Sequence, residues 1–267
     1  MTTKTMQERA LNEPIEDWLQ LSRSVNIQIP NEIFDDLQKG DFKVWQHKAF
    51  AYTYYYINTL IYRNALYGQR GRYLYSQQVV LNKMVSSTGK FTYITKKNGV
   101  LENLGYFETI HDYPVSFDIE EDLFDFSMYS ELDKSIKINS EPLKNFSVRK
   151  PTKAFVRYPE GDDFTGTFYD FNRTHRIPFK AVNTILGNNK LNYVHFYLFG
   201  YISMLAVRHK GSVQLSNQEV KDFLGCGEKF VTKVTNELEK SGLLESFRRT
   251  DSSGKMYQKV YIPITGK

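Results

Sequence analysis

Two stretches of the sequence carry the same motifs in the same order. Each begins with an Ile-Pro pair, continues through an aromatic segment to a serine, and then contains a Lys-Phe pair and a Leu-Glu-x-x-Gly motif. The corresponding residues are Pro30 and Pro178, Ser76 and Ser216, Phe91 and Phe230, and Gly105 and Gly242. Their separation falls steadily from 148 to 137 positions, as small insertions in connecting segments would produce. We therefore predict two copies of one structural unit.

The second copy has the pattern of a helix, a short helix, a turn, a longer helix and a hairpin. Residues 191–209 are apolar around most of a helical circumference, which predicts a buried central helix. Ser216 and Glu219 form a capping box for the short helix, and residues 225–227 supply the turn. The longer helix, 228–241, places apolar residues three and four apart, and Gly242 ends it. Strands 243–250 and 256–263 follow, joined by a loop with turn residues.

The first copy fits the same pattern more loosely. We predict a long aromatic helix at 42–67, a capped helix at 76–85, a turn at 86–89, a second helix at 90–103 and a wing within 106–119. Gly99 weakens that second helix, since a glycine inside a helix costs about 1 kcal/mol relative to alanine. The predicted fold class is mainly α with small β-wings (α+β), in two tandem winged helix-turn-helix domains.

A chain of 267 residues has room for one or two domains. We predict an N-terminal helical extension at 1–24 and a first winged-helix domain at 25–119. A linker at 120–174, acidic and then basic, leads to the second winged-helix domain at 175–267.

The charge is distributed unevenly. The whole chain has a net charge of +5. Residues 1–133 carry 13 basic and 18 acidic side chains, so residues 134–267 carry 22 basic and 12 acidic ones. Within the acidic half, residues 42–101 contain nine basic side chains and no acidic one. Such an acid-free window favours a polyanionic partner, because it would not repel phosphate.

The sequence gives little support for an enzyme. The five histidines have no metal-ligand spacing, residues 86–90 lack the first glycine of a phosphate-binding loop, and Cys226 has no evident histidine partner. We predict no catalytic residue, no metal and no cofactor. A single cysteine, no apolar N-terminal segment and no long apolar run predict a cytoplasmic protein without membrane contact.

DNA binding is the function with a mechanism in these residues. In a helix-turn-helix the second helix enters the major groove. Lysine there can donate to guanine, asparagine can pair with adenine, and glutamate can accept from cytosine. The predicted DNA-binding residues of the second copy are Glu228, Lys229, Thr232, Lys233 and Asn236 on the helix, and Arg248, Arg249, Lys255 and Lys259 on the hairpin. Those of the first copy are Arg70, Arg72, Lys90, Tyr93, Lys96 and Lys97.

The two Ile-Pro pairs, at 29–30 and 177–178, together with the motifs LENLG at 101–105 and LEKSG at 238–242, support a resemblance. In layout the chain resembles the replication initiators of plasmids and some phages. The resemblance implies that the C-terminal copy reads repeated origin sites through Lys229, Thr232, Lys233 and Asn236. It also implies that the N-terminal copy binds DNA or forms a homodimer, and that host replication proteins are further partners. A plasmid or phage transcriptional regulator and a winged-helix scaffold for protein contacts stay open as alternatives.

Overall fold

The computed structural model describes residues 25–67, 89–120, 123–133, 147–157, 164–168, 173–188, 190–250 and 256–265. The chain divides into two compact units that interleave along the sequence. Unit A takes its described residues from 54–172, and unit B takes them from 25–53 and from 173–265. The predicted domain ranges, 25–119 and 175–267, stay predictions.

Unit B begins with strand β1 (Asn26–Pro30), helix α1 (Ile33–Lys39) and the first half of helix α2 (Gln46–Arg63), whose residues from 54 onward belong to unit A. The chain returns to unit B at strand β8. The later elements of unit B are β8 (Thr174–Pro178), α5 (Phe179–Leu186), α6 (Tyr193–Arg208), β9 (Val213–Leu215), α7 (Asn217–Leu224), α8 (Glu228–Lys240), β10 (Leu244–Thr250) and β11 (Met256–Pro263). Strands β10, β11 and β9 form one antiparallel sheet in that order.

The two Ile-Pro segments of the repeat pair with each other. Strand β1 lies antiparallel to β8, with Asn26 opposite Pro178 and Pro30 opposite Thr174. Since Pro30 corresponds to Pro178 in the repeat, these two pairs are equivalent, and the ladder is symmetric about the Gln28–Arg176 pair. Isoleucines at 27, 29 and 177 are fully buried on its inner face. The repeat therefore produces a local two-fold relation within unit B.

Aromatic side chains fill the core of unit B because α2 and α6 are apolar around most of their circumference. Tyr52 of α2 packs against Phe196 and Tyr197 of α6, with ring centroids 5.5 and 5.6 Å apart. The Tyr52 hydroxyl also lies 2.8 Å from Nε2 of His175, whose Nδ1 lies 3.0 Å from Oδ1 of Asn31. This buried chain of hydrogen bonds satisfies polar groups that would be costly to leave unpaired.

Unit A contains the second half of α2 and a series of short elements. They are α3 (Thr92–Thr95), α4 (Val100–Asn103), β2 (Glu108–Ile110), β3 (Pro114–Glu120), β4 (Leu123–Met128), β5 (Val148–Lys150), β6 (Phe155–Arg157) and β7 (Phe164–Phe168). The strands pair antiparallel as β2 with β5, β3 with β4, and β6 with β7. Tyr55 of α2 is fully buried against Tyr106, with ring centroids 5.1 Å apart.

The predicted fold class is wrong. The chain is mixed α/β with several small antiparallel sheets, and two winged helix-turn-helix domains with small wings are not what it forms. Strands β4 to β7 occupy the segment predicted as a linker. In the first copy, the helix predicted at 90–103 is divided into α3 and α4, and β2 pairs with the distant β5 instead of with the next strand.

The repeat itself extends to matching hydrogen bonds. Gly105 and Gly242 both have a left-handed φ, of 73° and 72°, and both end a helix in the same way. The amide of Gly105 donates to the carbonyl of Glu102, and the amide of Gly242 donates to that of Glu239. The amide of the next residue donates to the carbonyl five residues earlier in both copies. The two helix ends therefore share one capping geometry, while the duplication of the whole unit stays a prediction.

No helix in the described ranges is long and apolar enough to cross a membrane.

Candidate nucleic-acid interface

Helix α8 separates its side chains into a buried face and an exposed face. Val231, Val234 and Leu238 are completely buried, as their spacing predicts. All five of the predicted base-reading residues of this helix are exposed: Glu228, Lys229, Thr232, Lys233 and Asn236. At 1.5 Å per residue, the 13-residue helix is about 20 Å long, and the major groove admits an α-helix.

The turn before α8 is fixed by local sequence and by packing. The Ser216 hydroxyl accepts from the amide of Glu219, and the Glu219 carboxylate accepts from the amide of Ser216, which confirms the predicted capping box of α7. Gly225 ends α7 with a left-handed φ of 71°. Trp45 packs edge-on against Phe230 of α8, with ring centroids 5.4 Å apart. Trp45 thus supports α8 from a part of the chain that sequence analysis did not connect to it.

A buried histidine ties α8 to the central helix of unit B. Nε2 of His195 lies 2.9 Å from a carboxylate oxygen of Glu237, and Nδ1 accepts from the amide of Asn192. Burial lowers the pKa of His195, against the opposing effect of Glu237. The neutral imidazole therefore donates from Nε2 to the carboxylate, which holds α8 in place.

A second carboxylate joins α8 to the hairpin. Glu239 accepts from the Ser246 hydroxyl of β10 at 2.5 Å and from Nζ of Lys259 of β11 at 2.5 Å. Burial alone would raise the pKa of Glu239, but the bonds from Lys259 and Ser246 outweigh it and lower the pKa. Because Glu239 is ionised and paired, it compensates the charge of Lys259. Lys259 is thus bound within the protein, although the sequence predicted a contact with DNA.

Arg248 is an exposed cation of the hairpin. It stands opposite Lys259 in the β10–β11 ladder, and therefore on the face of the sheet that carries the bonds to α8. Phe247, which sequence analysis did not select, is 49% exposed on the opposite face. Only the backbone of Arg249 is described, and Lys255 lies outside the described residues. Arg248 of β10 and the outer side chains of α8 are thus exposed on two elements that Glu239 joins.

The predicted residues of the first copy lie in unit A on short elements. Lys90, Lys96 and Lys97 are exposed, and Tyr93 is partly buried in α3. Arg70 and Arg72 lie outside the described residues. Lys96 and Lys97 stand in the break between α3 and α4, so they are not on the regular helix that was predicted to carry them.

Within the described ranges, no group of three or more His, Cys, Asp or Glu side chains is placed to hold a metal ion. No family model matches the chain, and no curated protein or solved structure matches it either.

Proposed function

We propose that the chain binds double-stranded DNA sequence-specifically, with α8 in the major groove and Arg248 at the neighbouring phosphates. The observation that carries this proposal is the exposed face of α8, where two lysines and an asparagine lie opposite a fully buried apolar face. Asn236 can pair with adenine, and Lys229 or Lys233 can donate to guanine. Arg248 suits phosphate because a guanidinium can donate two parallel hydrogen bonds to it.

The rigid attachment of α8 supports readout of sequence. Base recognition requires side chains held in register with the base edges, and α8 is held at its start by Trp45 and at its end by Glu239. The His195–Glu237 bond adds a third attachment. These attachments use residues on the inner side of the helix, so the exposed side chains stay available to a partner.

The experiment starts from selection of a binding site out of random duplexes. Asn236→Ala and Lys233→Ala are then compared with wild type on the selected duplex and on a random one. Each variant should lose about 1–3 kcal/mol of affinity on the selected duplex and little on the random one. Lys180→Ala and Asn183→Ala, on helix α5 of the same unit, are the matched controls and should bind as wild type does.

Two outcomes contradict the proposal. Equal losses on both duplexes mean that α8 contacts only phosphates, and no salt-dependent affinity for any duplex means that the exposed face serves a protein partner. The second outcome corresponds to the scaffold alternative.

For the biological role, we propose replication initiation at a plasmid or phage origin, with host replication proteins as further partners. The internal sequence repeat supports this role, because a chain that carries one series of motifs twice suits an origin built from repeated sites. Selected sites that occur as direct repeats, together with local melting detected by permanganate, would support initiation. A single inverted repeat over a promoter, with changed transcript levels, would instead identify a transcriptional regulator.

A further inference from the structure

Unit B contains a pocket on elements that the proposed DNA interface does not use. Its volume is about 350 Å³, at the lower end of the range for small-molecule sites. Helix α6 contributes one face to it through Ser203, Ala206 and Val207, which are spaced three and four residues apart. The other lining residues are Asn26, Arg176, Gly211, Pro263 and Thr265.

The Ser203 hydroxyl is the first feature that points to a ligand. Ser203 is only 2% exposed, and its Oγ has no hydrogen-bond partner. A serine inside a helix ordinarily donates to the carbonyl four residues earlier, and leaving a buried hydroxyl without a partner is destabilising. A ligand oxygen in the pocket would satisfy this hydroxyl.

Arg176 supplies a positive charge to the same pocket. It lies on the solvent-facing side of the β1–β8 ladder, diagonally across from Asn26, and its side chain is exposed. Among the described residues its side chain has no ion pair. A guanidinium in this position matches a carboxylate or phosphate group.

Apart from Asn26 and Thr265, the rest of the lining is apolar. Ala206 and Pro263 offer hydrocarbon surface, and Val207 is 63% exposed, which is high for a large aliphatic side chain. Gly211 adds no side chain, so the pocket stays open beside the end of α6. An aliphatic group seated here would remove Val207 from water, which is favourable in proportion to the area covered.

We propose that this pocket binds a small organic anion, with its carboxylate or phosphate group at Arg176 and Ser203 and a short aliphatic body against Ala206, Val207 and Pro263. The pocket contains no residue of α8, so this proposal can be tested independently of DNA binding.

The test is an NMR titration of the full chain with 3-methylbutanoate, followed through the backbone amides of Arg176, Val207 and Gly211. These amides should shift and saturate at millimolar ligand. The neutral amide of the same acid and inorganic phosphate, which lacks the aliphatic body, should each bind at least about tenfold more weakly. Isopentyl phosphate, compared with 3-methylbutanoate, identifies which anionic group the site prefers.

Two variants tie the binding to the pocket. Arg176→Gln should weaken binding of 3-methylbutanoate at least tenfold, while Arg173→Gln, an exposed arginine of the same unit outside the pocket, should leave it unchanged. Ser203→Ala should weaken binding without lowering the melting temperature of the free protein, because it removes an unsatisfied hydroxyl.

The proposal is overturned if the three amides do not shift up to 20 mM of either anion, or if the neutral amide binds as tightly as the acid. Both comparisons use the wild-type chain, so they decide the matter even if a variant fails to fold. Equal binding by the Arg176→Gln and Arg173→Gln variants would also overturn it.

Discussion

Glu102 in unit A and Glu239 in unit B occupy corresponding positions of the repeat and make corresponding contacts. Glu102 accepts from the hydroxyl of Thr109 at 2.7 Å, and Glu239 accepts from the hydroxyl of Ser246 at 2.5 Å. Each carboxylate also forms an ion pair with a cation on the strand that pairs with this first strand. Glu102 pairs with Arg149 of β5, and Glu239 pairs with Lys259 of β11. A carboxylate near a helix end thus fixes the first strand after the helix in both units.

His175 makes the stability of the fold depend on pH. Burial, with a smaller contribution from the nearby Arg208, lowers the pKa of His175 from 6.5 to about 3. The folded chain therefore binds fewer protons than the unfolded chain between these values, and stability falls as pH falls through that window. Well above pH 6.5 the imidazole is neutral in both states, and the residue has no pH-dependent effect.

We predict that His175 lowers the free energy of unfolding by about 2 kcal/mol between pH 7 and pH 5. Urea denaturation at the two pH values measures this change. His175→Gln should remove that part of the loss, while His209→Gln, a change at an exposed histidine, should retain it. A variant at 175 with the wild-type pH dependence would show that the histidine is protonated inside the fold.

At the scale of elements, the sequence predicted helix and strand bounds correctly where local sequence signals and tertiary packing favour the same structure. Helices α7 and α8, the turn between them and the hairpin β10–β11 lie within a residue of their predicted bounds. The capping box, the left-handed Gly225 and the three-to-four spacing of apolar residues are all local. The exposed face of α8 followed from the same spacing, so the candidate site was predictable there.

The first copy was less predictable because its pairings are distant. Strand β2 pairs with β5, about 40 residues later, and no local pattern marks that partner. The bond between Lys259 and Glu239, and the support of α8 by Trp45, are tertiary contacts of the same kind. A lysine on a hairpin has the same appearance in the sequence whether it faces DNA or a carboxylate.

Gly99 explains why one predicted helix became two. It is the N-cap of α4 in extended conformation, and a Cβ there would lie 2.6 and 2.7 Å from the carbonyl oxygens of Tyr93 and Lys96. We predict that Gly99→Ala destabilises the fold by about 1–3 kcal/mol, since the crowding atoms are backbone.

Gly227 is the matched control for this change in chemical denaturation. It is the N-cap of α8, also extended, and a Cβ there would meet nothing within 4 Å. Both variants lose the same preference for glycine at an N-cap, so the difference between them measures crowding alone. Equal destabilisation by the two alanines would show that the break between α3 and α4 does not depend on Gly99.

At the scale of the whole molecule, the question is whether unit A also holds DNA. The logarithm of the binding constant falls with the logarithm of salt concentration by about 0.9 for each phosphate neutralised. If unit A contributes, replacement of Lys90, Lys96 and Lys97 by alanine should flatten that slope by about two to three. An unchanged slope, measured at constant oligomeric state by sedimentation, would leave unit B as the only DNA-binding unit.

The pairing of β1 with β8 sets an order of events during synthesis. Ile27 lies opposite Ile177, and all described residues of unit A fall between them in the chain. At about 5–20 residues per second, a ribosome needs roughly 8–30 s to supply the partner strand. Unit A can fold in that interval, whereas the isoleucines of β1 and the aromatic side chains around Tyr52 must wait without their native neighbours. Residues 26–53 of the nascent chain are therefore the described residues most exposed to aggregation and to chaperones, because they leave the ribosome before the rest of unit B and must wait for it.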